Sequence, residues 1–295
     1  MTGFTYVTTC KGRLHHLVQS LPAALRAGPA DLVVVDYGCP DGAGAWVREH
    51  HPSVKVVTVA DDPGFNVARA RNAGAAVAGT EWLGFFDVDV VLAPGFFPSI
   101  ERGIRGGHYF VPDSGDANTW GSCLVERAAF VAAGGYDEAI DTWGGEDNDF
   151  YAVLAFHGIR RGHYPGRLLT PIRHADAERT RFHPLKNLDR AVRLGSAYRS
   201  IKLDVMRHLA RTLSLEERRH LRALAAQLVE RAAAGDPQPV HVVLPQRPLK
   251  TRPAPAEGDG PVLRSVLLFA IDRYGREHDG PGDDATDGGA APPQR

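Results

Sequence analysis

The feature that most constrains the fold is an alternation of short apolar runs and helical segments in the first third of the chain. Residues 31–36 form a continuous apolar run that ends in a carboxylate, Asp36, and such a run is typical of a parallel strand buried on both faces. Composition and periodicity predict the other elements in the same way. The predicted strands are 4–8, 31–36, 54–59 and 82–86, and the predicted helices are 14–25, 45–50 and 68–78. Short connections between them predict an α/β fold with a doubly wound, mostly parallel sheet, whose ligand crevice lies outside the carboxyl ends of the strands.

Two acidic positions fall at predicted strand ends. Asp36 ends the second strand, and Asp87-Val88-Asp89 follows the fourth. Alternate side chains of a strand share a face, so Asp87 and Asp89 can point to one site. A hard divalent cation needs oxygen ligands, and it would neutralise the charge that builds on a departing nucleoside diphosphate. A solvated strand end is the alternative interpretation of such a motif on its own.

A second acidic segment follows a tryptophan on a glycine hinge. Trp143-Gly144-Gly145 precedes Glu146, Asp147 and Asp149, and residues 150–155 then have a helical composition. Carboxylates at a helix N-terminus often cap it and complement its dipole. That role accounts for one of the three acids, but it does not account for the tryptophan. A carboxylate held in a closed site can take a proton from a sugar hydroxyl.

His174, in Pro171-Ile172-Arg173-His174, completes a series of linked motifs, although an isolated histidine is more often structural than a ligand. The series consists of Phe65-Asn66, Ala70-Arg71-Asn72-Ala73-Gly74, Phe86-Asp87-Val88-Asp89, Gly134-Gly135-Tyr136-Asp137-Glu138, Trp143-Gly144-Gly145-Glu146-Asp147 and Ile172-Arg173-His174. Over residues 4–184, their order and spacing resemble the GT-A glycosyltransferases. The likeness is to the galactosyltransferase-like half shared by β-1,4-galactosyltransferases, polypeptide N-acetylgalactosaminyltransferases and chondroitin-polymerase-type bacterial enzymes.

The resemblance implies a GT-A fold and an inverting transferase. Its donor would be a nucleotide-sugar, with a UDP-sugar expected, carrying a hexose or N-acetylhexosamine. The acceptor would be a hydroxyl of a glycan or glycoconjugate, and the cofactor Mn²⁺ or Mg²⁺.

The resemblance also implies roles for individual residues. Asp36 would contact the nucleotide, Arg71, Asn72 and Asp87 would form the donor pocket, and Trp143 would lie on a mobile loop that closes over the donor and borders the acceptor. Glu146 and Asp147 would bind the acceptor, with Asp147 as general base, and Asp89 and His174 would ligate the metal. Pro171 departs from the pattern, because the β-1,4-galactosyltransferases have a methionine ligand there. The resemblance therefore leaves the metal preference open.

The chain changes character after residue 184. Residues 187–213 and 214–234 are predicted as two helices, the second opened by a capping box at Ser214. The predicted organisation is a catalytic domain over 1–184, a basic helical extension over 185–235 and a Pro/Gly-rich tail over 236–295, disordered beyond about Glu277. The cations of 186–231 have two interpretations, a helical pair packed on the catalytic domain or a surface that docks on an anionic membrane. The first is favoured.

Composition argues against several classes of protein and indicates a cellular location. The formal net charge of −1 argues against a polycation built to hold nucleic acid. There is no secretory signal at the N-terminus and no apolar stretch near the roughly 20 residues of a membrane helix. The three cysteines favour a reducing compartment. The expected location is the cytoplasm, with peripheral contact at the inner face of the membrane as an extension; oligomeric state cannot be read from the sequence. Two other functions stay open, a catalytically inactive nucleotide-sugar-binding module in polysaccharide assembly and a nucleotide-diphosphate hydrolase.

Overall fold

A computed structural model describes residues 3–113, 116–236, 238–245, 247–248, 262–263 and 265–271. Strands and helices alternate through the first half of the chain, and helices dominate the second half. The strands are β1 (Phe4–Cys10), β2 (Asp31–Asp36), β3 (Lys55–Thr58), β4 (Trp82–Phe85), β5 (Val90–Leu92), β6 (His108–Pro112), β7 (Cys123–Glu126), β8 (Arg160–Tyr164), β9 (Leu169–Pro171), β10 (Val240–Val243), β11 (Arg247–Pro248), β12 (Val262–Leu263) and β13 (Val266–Phe269). The α-helices are α1 (Leu14–Arg26), α2 (Ala43–His50), α3 (Val67–Ala76), α4 (Phe96–Ile100), α5 (Arg127–Ala132), α6 (Glu146–Phe156), α7 (Asp176–Thr180), α8 (Leu188–Leu209) and α9 (Leu215–Ala234).

The central sheet has seven strands in the order β3-β2-β1-β4-β7-β6-β8. β1 pairs in parallel with β2 and β4, and β2 pairs in parallel with β3. This half of the sheet confirms the four predicted strands and their parallel arrangement. β7 is antiparallel to both β4 and β6, whereas β6 and β8 are parallel. The mixed half of the sheet was not predicted from the sequence.

The sheet is covered on both faces. Neighbouring residues of β1 point to opposite sides, so Tyr6 belongs to the core under α1, whereas Val7 belongs to the core that includes Phe150 of α6. Both side chains are at most 1% exposed. Burial on both faces also explains why residues 32–35 of β2 are a continuous apolar run rather than an alternating pattern.

The C-terminal helices share the second of these cores. Tyr198, Ile201 and Val205 of α8 pack in the same apolar cluster as Phe150, and so does Val240 of β10. One core therefore crosses both predicted domain boundaries. α8 ends at Leu209 rather than at residue 213, because Ala210 adopts a left-handed backbone with φ of 53°. The predicted disorder beyond Glu277 lies outside the described residues.

Several cations of the helical extension point inward. Lys202, which is 1% exposed, pairs with Asp137 at 2.9 Å and also with Asp149. Arg218 donates a hydrogen bond to Asp137 Oδ1 at 3.0 Å. The structure thus matches the interpretation in which the helical pair packs on the catalytic domain. Within the described ranges, no helix is both long and apolar enough to cross a membrane.

Candidate functional site

The carboxyl ends of β1 and β4 open into a cavity of about 510 Å³. Asp87 and Asp89, which follow β4, lie on one wall, and the N-terminus of α6 lies on another. Side chains of α7 and α8 complete the enclosure. The cavity therefore occupies the sheet edge at which the sequence predicts the ligand crevice.

Two short strands bring Asp89 and His174 together. β5 pairs antiparallel with β9, with Val90 opposite Pro171, and the Ile172 amide donates to the Asp89 carbonyl at 2.6 Å. His174 Nε2 consequently lies 2.5 Å from Asp89 Oδ2. The Arg13 guanidinium donates to the same oxygen at 3.0 Å.

The Asp89–His174 pair has the chemistry of a divalent metal site. Asp89 is 8% exposed. Burial acts to raise its pKa, but the hydrogen bond from His174 and the charge of Arg13 outweigh burial, so the pKa lies below the usual range for the carboxyl. An ionised carboxylate oxygen and an imidazole nitrogen that converge on one point fit a metal ion. One imidazole beside one carboxylate suits Mn²⁺ better than Mg²⁺, which prefers oxygen ligands throughout.

Arg71 lies behind the cavity wall and holds two acidic residues. Its Nη2 donates to Asp87 Oδ1 at 2.7 Å and its Nη1 donates to Glu146 Oε1 at 3.0 Å. The guanidinium also lies 4.9 Å from the centre of the Tyr136 ring. Arg71 is 2% exposed, so it acts on the site by orienting Asp87 and Glu146.

The three acids at the start of α6 have three different surroundings. Glu146 is buried, and its Oε2 accepts no hydrogen bond within the described part of the chain. Burial together with the charge of Asp147 raises the pKa of Glu146 from 4.5 to about 7. Asp147 is partly exposed and lines the cavity, with Oδ1 accepting from the Asn148 amide at 2.7 Å. Asp149 points away to Lys202. Asp147 is thus the acid of this segment that combines exposure to the cavity with a carboxylate oxygen, Oδ2, that accepts no hydrogen bond from the described residues.

Gly121 shows how close the two acidic motifs are. A Cβ added to Gly121 would lie 3.2 Å from Asp87 Oδ2, 3.4 Å from Arg71 Nη2 and 3.8 Å from Asp147 Oδ2. The carboxylates of Asp87 and Asp147 therefore face one small region of the cavity. A side chain at position 121 would fill that region.

The predicted tryptophan loop lies at the rim. Gly144 and Gly145 have φ of 77° and 95°, a backbone that favours glycine, and they place Trp143 against the cavity. The Arg179 guanidinium of α7 lies 5.6 Å from the centre of the Trp143 ring. This contact joins the tryptophan loop to the segment that follows His174.

Two predicted donor residues have local roles in the structure. The Asp36 carboxylate accepts from the amides of Cys39 at 2.7 Å and Gly44 at 3.0 Å, which fixes the turn into α2. Asn72 donates to the Tyr136 carbonyl and accepts from the Tyr136 amide. Neither side chain lines the cavity, so contact of Asp36 with the nucleotide and a direct part for Asn72 in the donor pocket stay predictions.

The cavity wall includes side chains that were not predicted from the sequence, among them Lys11, Arg13, Trp120 and Arg199. Lys11 and Arg13 directly follow β1, so the rule that singled out Asp36 and Asp87 at strand ends would also have found them. Trp120 and Arg199 also line the cavity. No local pattern identifies these two, because the fold brings them there from a loop and from α8.

Comparisons with known proteins agree with this architecture. Residues 6–121 match glycosyl transferase family 2, and residues 110–176 match the N-terminal domain of galactosyltransferase. The mannosyltransferase PcManGT from Pyrobaculum calidifontis, solved in complex with GDP-Man and Mn²⁺, is 15% identical with a TM-score of 0.50, over 79% of this chain and 74% of that chain. TarS of S. aureus is 12% identical with a TM-score of 0.53, over 78% of this chain and 44% of that chain.

At these identities the structural likeness concerns the fold alone, and it confirms the predicted GT-A architecture. No curated protein matches the sequence.

Proposed function

We propose that this glycosyltransferase, whose residues 6–121 match glycosyl transferase family 2, moves a hexose or N-acetylhexosamine from a nucleotide-sugar to a glycan hydroxyl with inversion. UDP is the expected nucleotide because the motif series resembles that of galactosyltransferase-like enzymes. The observation that carries the proposal is the shared cavity. It contains a pair suited to a metal, Asp89 and His174, and, in the same lining, a carboxylate available for proton transfer, Asp147.

Asp89 and His174 would hold the metal. A bound divalent cation supplies positive charge to the departing diphosphate. The complex of PcManGT with GDP-Man and Mn²⁺ supports this use of a divalent ion. Asp87 is held by Arg71 at 2.7 Å, so two side chains are left as direct ligands. Oxygens of the donor and water would supply the other ligands, and we expect metal and donor to strengthen each other's binding.

The chain's own residues would position the reacting groups. Arg13 faces the same cavity as Asp89 and can pair with a phosphate oxygen once a metal takes its place on the carboxylate. Asp147 would accept the proton of the acceptor hydroxyl. As that proton leaves, the acceptor oxygen bonds to the anomeric carbon, and the bond from that carbon to the diphosphate oxygen breaks. Attack from the side opposite the leaving group gives inversion.

The test begins with the donor. Ligands that bind the native state raise its apparent stability, so a thermal-shift series of UDP-, GDP- and dTDP-sugars with and without Mn²⁺ identifies the nucleotide. We expect the largest shift for a UDP-sugar with Mn²⁺, followed by slow metal-dependent hydrolysis of that donor. Product masses on a panel of sugar acceptors then establish transfer. A donor that binds but is neither hydrolysed nor transferred would identify an inactive nucleotide-sugar-binding module instead.

We further propose that the helical extension serves the catalytic domain rather than a membrane. Besides the inward cations, exposed arginines of this region pair with acids at short range, Arg190 with Glu230 at 2.5 Å and Arg211 with Glu217 at 2.6 Å. We expect the intact protein not to float with anionic liposomes. Flotation that depends on anionic lipid would instead establish peripheral membrane contact through residues 186–231.

A further inference from the structure

A group of potential metal ligands that the proposed reaction does not use lies beside the cavity. It joins two consecutive histidines of α1, His15 and His16, to Glu178 of α7. His15 Nε2 lies 3.7 Å from Glu178 Oε2, and His16 Nε2 lies 4.0 Å from the same oxygen. All three candidate ligand atoms lie within 4.8 Å of one another.

These distances are too long for hydrogen bonds. Glu178 Oε2 is buried and accepts no hydrogen bond from the described residues. A buried carboxylate oxygen without a donor is costly. The His16 ring beside it is 3% exposed, so water has little access from that side. A cation between the carboxylate and the imidazoles would satisfy all three groups.

The spacing fits a small transition-metal ion. Bonds of about 2.0–2.2 Å from such an ion to nitrogen or oxygen place two ligands about 3.3 Å apart at a tetrahedral angle and about 4.1 Å apart on opposite sides. The observed separations of 3.7 and 4.0 Å lie inside that interval. Two imidazoles and one carboxylate are a ligand set for Zn²⁺ and its neighbours, whereas Mg²⁺ and Ca²⁺ prefer oxygen alone.

We propose that His15, His16 and Glu178 form a second metal site that binds Zn²⁺ or a similar transition-metal ion. It adjoins the Asp89–His174 pair, because the His16 ring lies 5.4 Å from the His174 ring, but it shares no ligand with that pair. Three protein ligands leave one position for water. The site links α1 to α7, two elements that are far apart in the chain. Glu178 and Arg179 both line the main cavity, and Arg179 contacts the Trp143 ring. An ion here would therefore fasten the cavity wall against which the tryptophan loop rests.

The test is calorimetric titration of the metal-free full-length protein with Zn²⁺, without any donor. The informative variants are His15→Ala, an exposed position outside the cavity, and Glu178→Gln, which keeps the side-chain shape. His208→Ala, an exposed histidine of α8, is the matched control. Loss of even an outer-shell partner costs roughly tenfold in metal affinity. We therefore expect the Zn²⁺ affinity of each informative variant to fall at least about tenfold. The control should bind like the unmodified protein.

Asp89→Asn separates this site from the donor site. We expect that variant to keep its Zn²⁺ affinity, and we expect Co²⁺ bound to it to give the intense visible absorption of a four-coordinate ion. Three results would overturn the proposal. They are absence of Zn²⁺ binding to the unmodified protein, a Zn²⁺ affinity of His15→Ala and Glu178→Gln equal to that of the unmodified protein, and loss of Zn²⁺ binding in Asp89→Asn. Because no donor is present, the result is independent of whether the protein transfers a sugar.

Discussion

Arg71 Nη1 lies 3.0 Å from Glu146 Oε1, although 75 residues separate them in the chain. The same guanidinium donates to Asp87. One buried cation therefore joins the acidic motif after β4 to the acidic motif at the start of α6. The relative placement of the two acidic motifs at the cavity therefore depends on this arginine.

Replacing Arg71 with methionine should be strongly destabilising. The change keeps an apolar stem but leaves Glu146 and Asp87 without their cation, and breaking a buried ion pair costs about 3–5 kcal/mol. We expect urea denaturation to show that the free energy of unfolding falls by an amount toward the lower end of that range, because the Asp87 side chain is 37% exposed. The control is Arg69→Met, whose exposed pair with Asp61 should be worth at most about 1 kcal/mol. Similar small losses in both variants would contradict the structural role of Arg71.

Glu146 should make stability depend on pH. Its pKa rises from 4.5 to about 7 in the folded protein, so the native state binds the proton more tightly than the unfolded state does. Its contribution to stability is then complete below pH 4.5 and is lost as pH rises toward 7. At about 1.4 kcal/mol per pKa unit, the free energy of unfolding should fall by roughly 3 kcal/mol over this pH range because of Glu146.

The measurement is urea denaturation of the metal-free protein and of Glu146→Gln between pH 5 and pH 8. The amide can still accept from Arg71 but does not ionise, so we expect Glu146→Gln to gain stability relative to the unmodified protein as pH rises. Parallel pH profiles for the two proteins would refute the raised pKa.

Lys202→Met should loosen the helical extension. Lys202 is buried between Asp137 and Asp149. Its removal leaves two carboxylates without this cation, which should lower the free energy of unfolding by about 3 kcal/mol or more. Limited proteolysis should then cut between α6 and α8 faster than in the unmodified protein. Arg207→Met, which removes a pair between exposed side chains, is the control. Unchanged proteolysis in Lys202→Met would show that α8 is held by apolar packing alone.

Asp89→Ala and His174→Gln should weaken donor binding only when Mn²⁺ is present. The two side chains are the proposed ligands; they pair with each other, and Asp89 also pairs with Arg13. Calorimetric titration with the donor, with and without Mn²⁺, measures the effect. His163→Gln, an exposed change on β8, should bind normally. Equal loss with and without metal would assign both residues to direct donor contacts instead.

The sequence predicts the parallel half of the sheet because β1, β2 and β4 are buried on both faces and are therefore rich in apolar, aromatic and β-branched residues. β7 escaped prediction because its four residues, Cys123–Glu126, are too few to show a period and lack strong turn signals. The positions of Asp87, Asp89 and Asp147 at the cavity also follow from the motifs. Chain order alone places Asp87 and Asp89 at a strand end and Asp147 at a helix start.

The partners of these acids could not be predicted, because they depend on long-range packing. Lys202 lies on the same helical face as Tyr198 and Met206, and it is buried against acids that precede it by 65 and 53 residues. The Asp36 carboxylate is used by a local turn, which its position at a strand end does not reveal. The missed group of His15, His16 and Glu178 likewise exists only once α7 packs near α1.

The central claim is that Asp147 removes the proton from the acceptor hydroxyl. The most direct measurement compares single-turnover sugar transfer with donor affinity in Asp147→Asn and in Asp141→Asn, an exposed acid outside the main cavity. General base catalysis contributes about 10²–10⁴-fold to the rate, so we predict a loss of at least about a hundredfold in transfer for Asp147→Asn. Donor affinity should be unchanged, and Asp141→Asn should transfer at the unmodified rate. Near-normal transfer by Asp147→Asn would contradict the account.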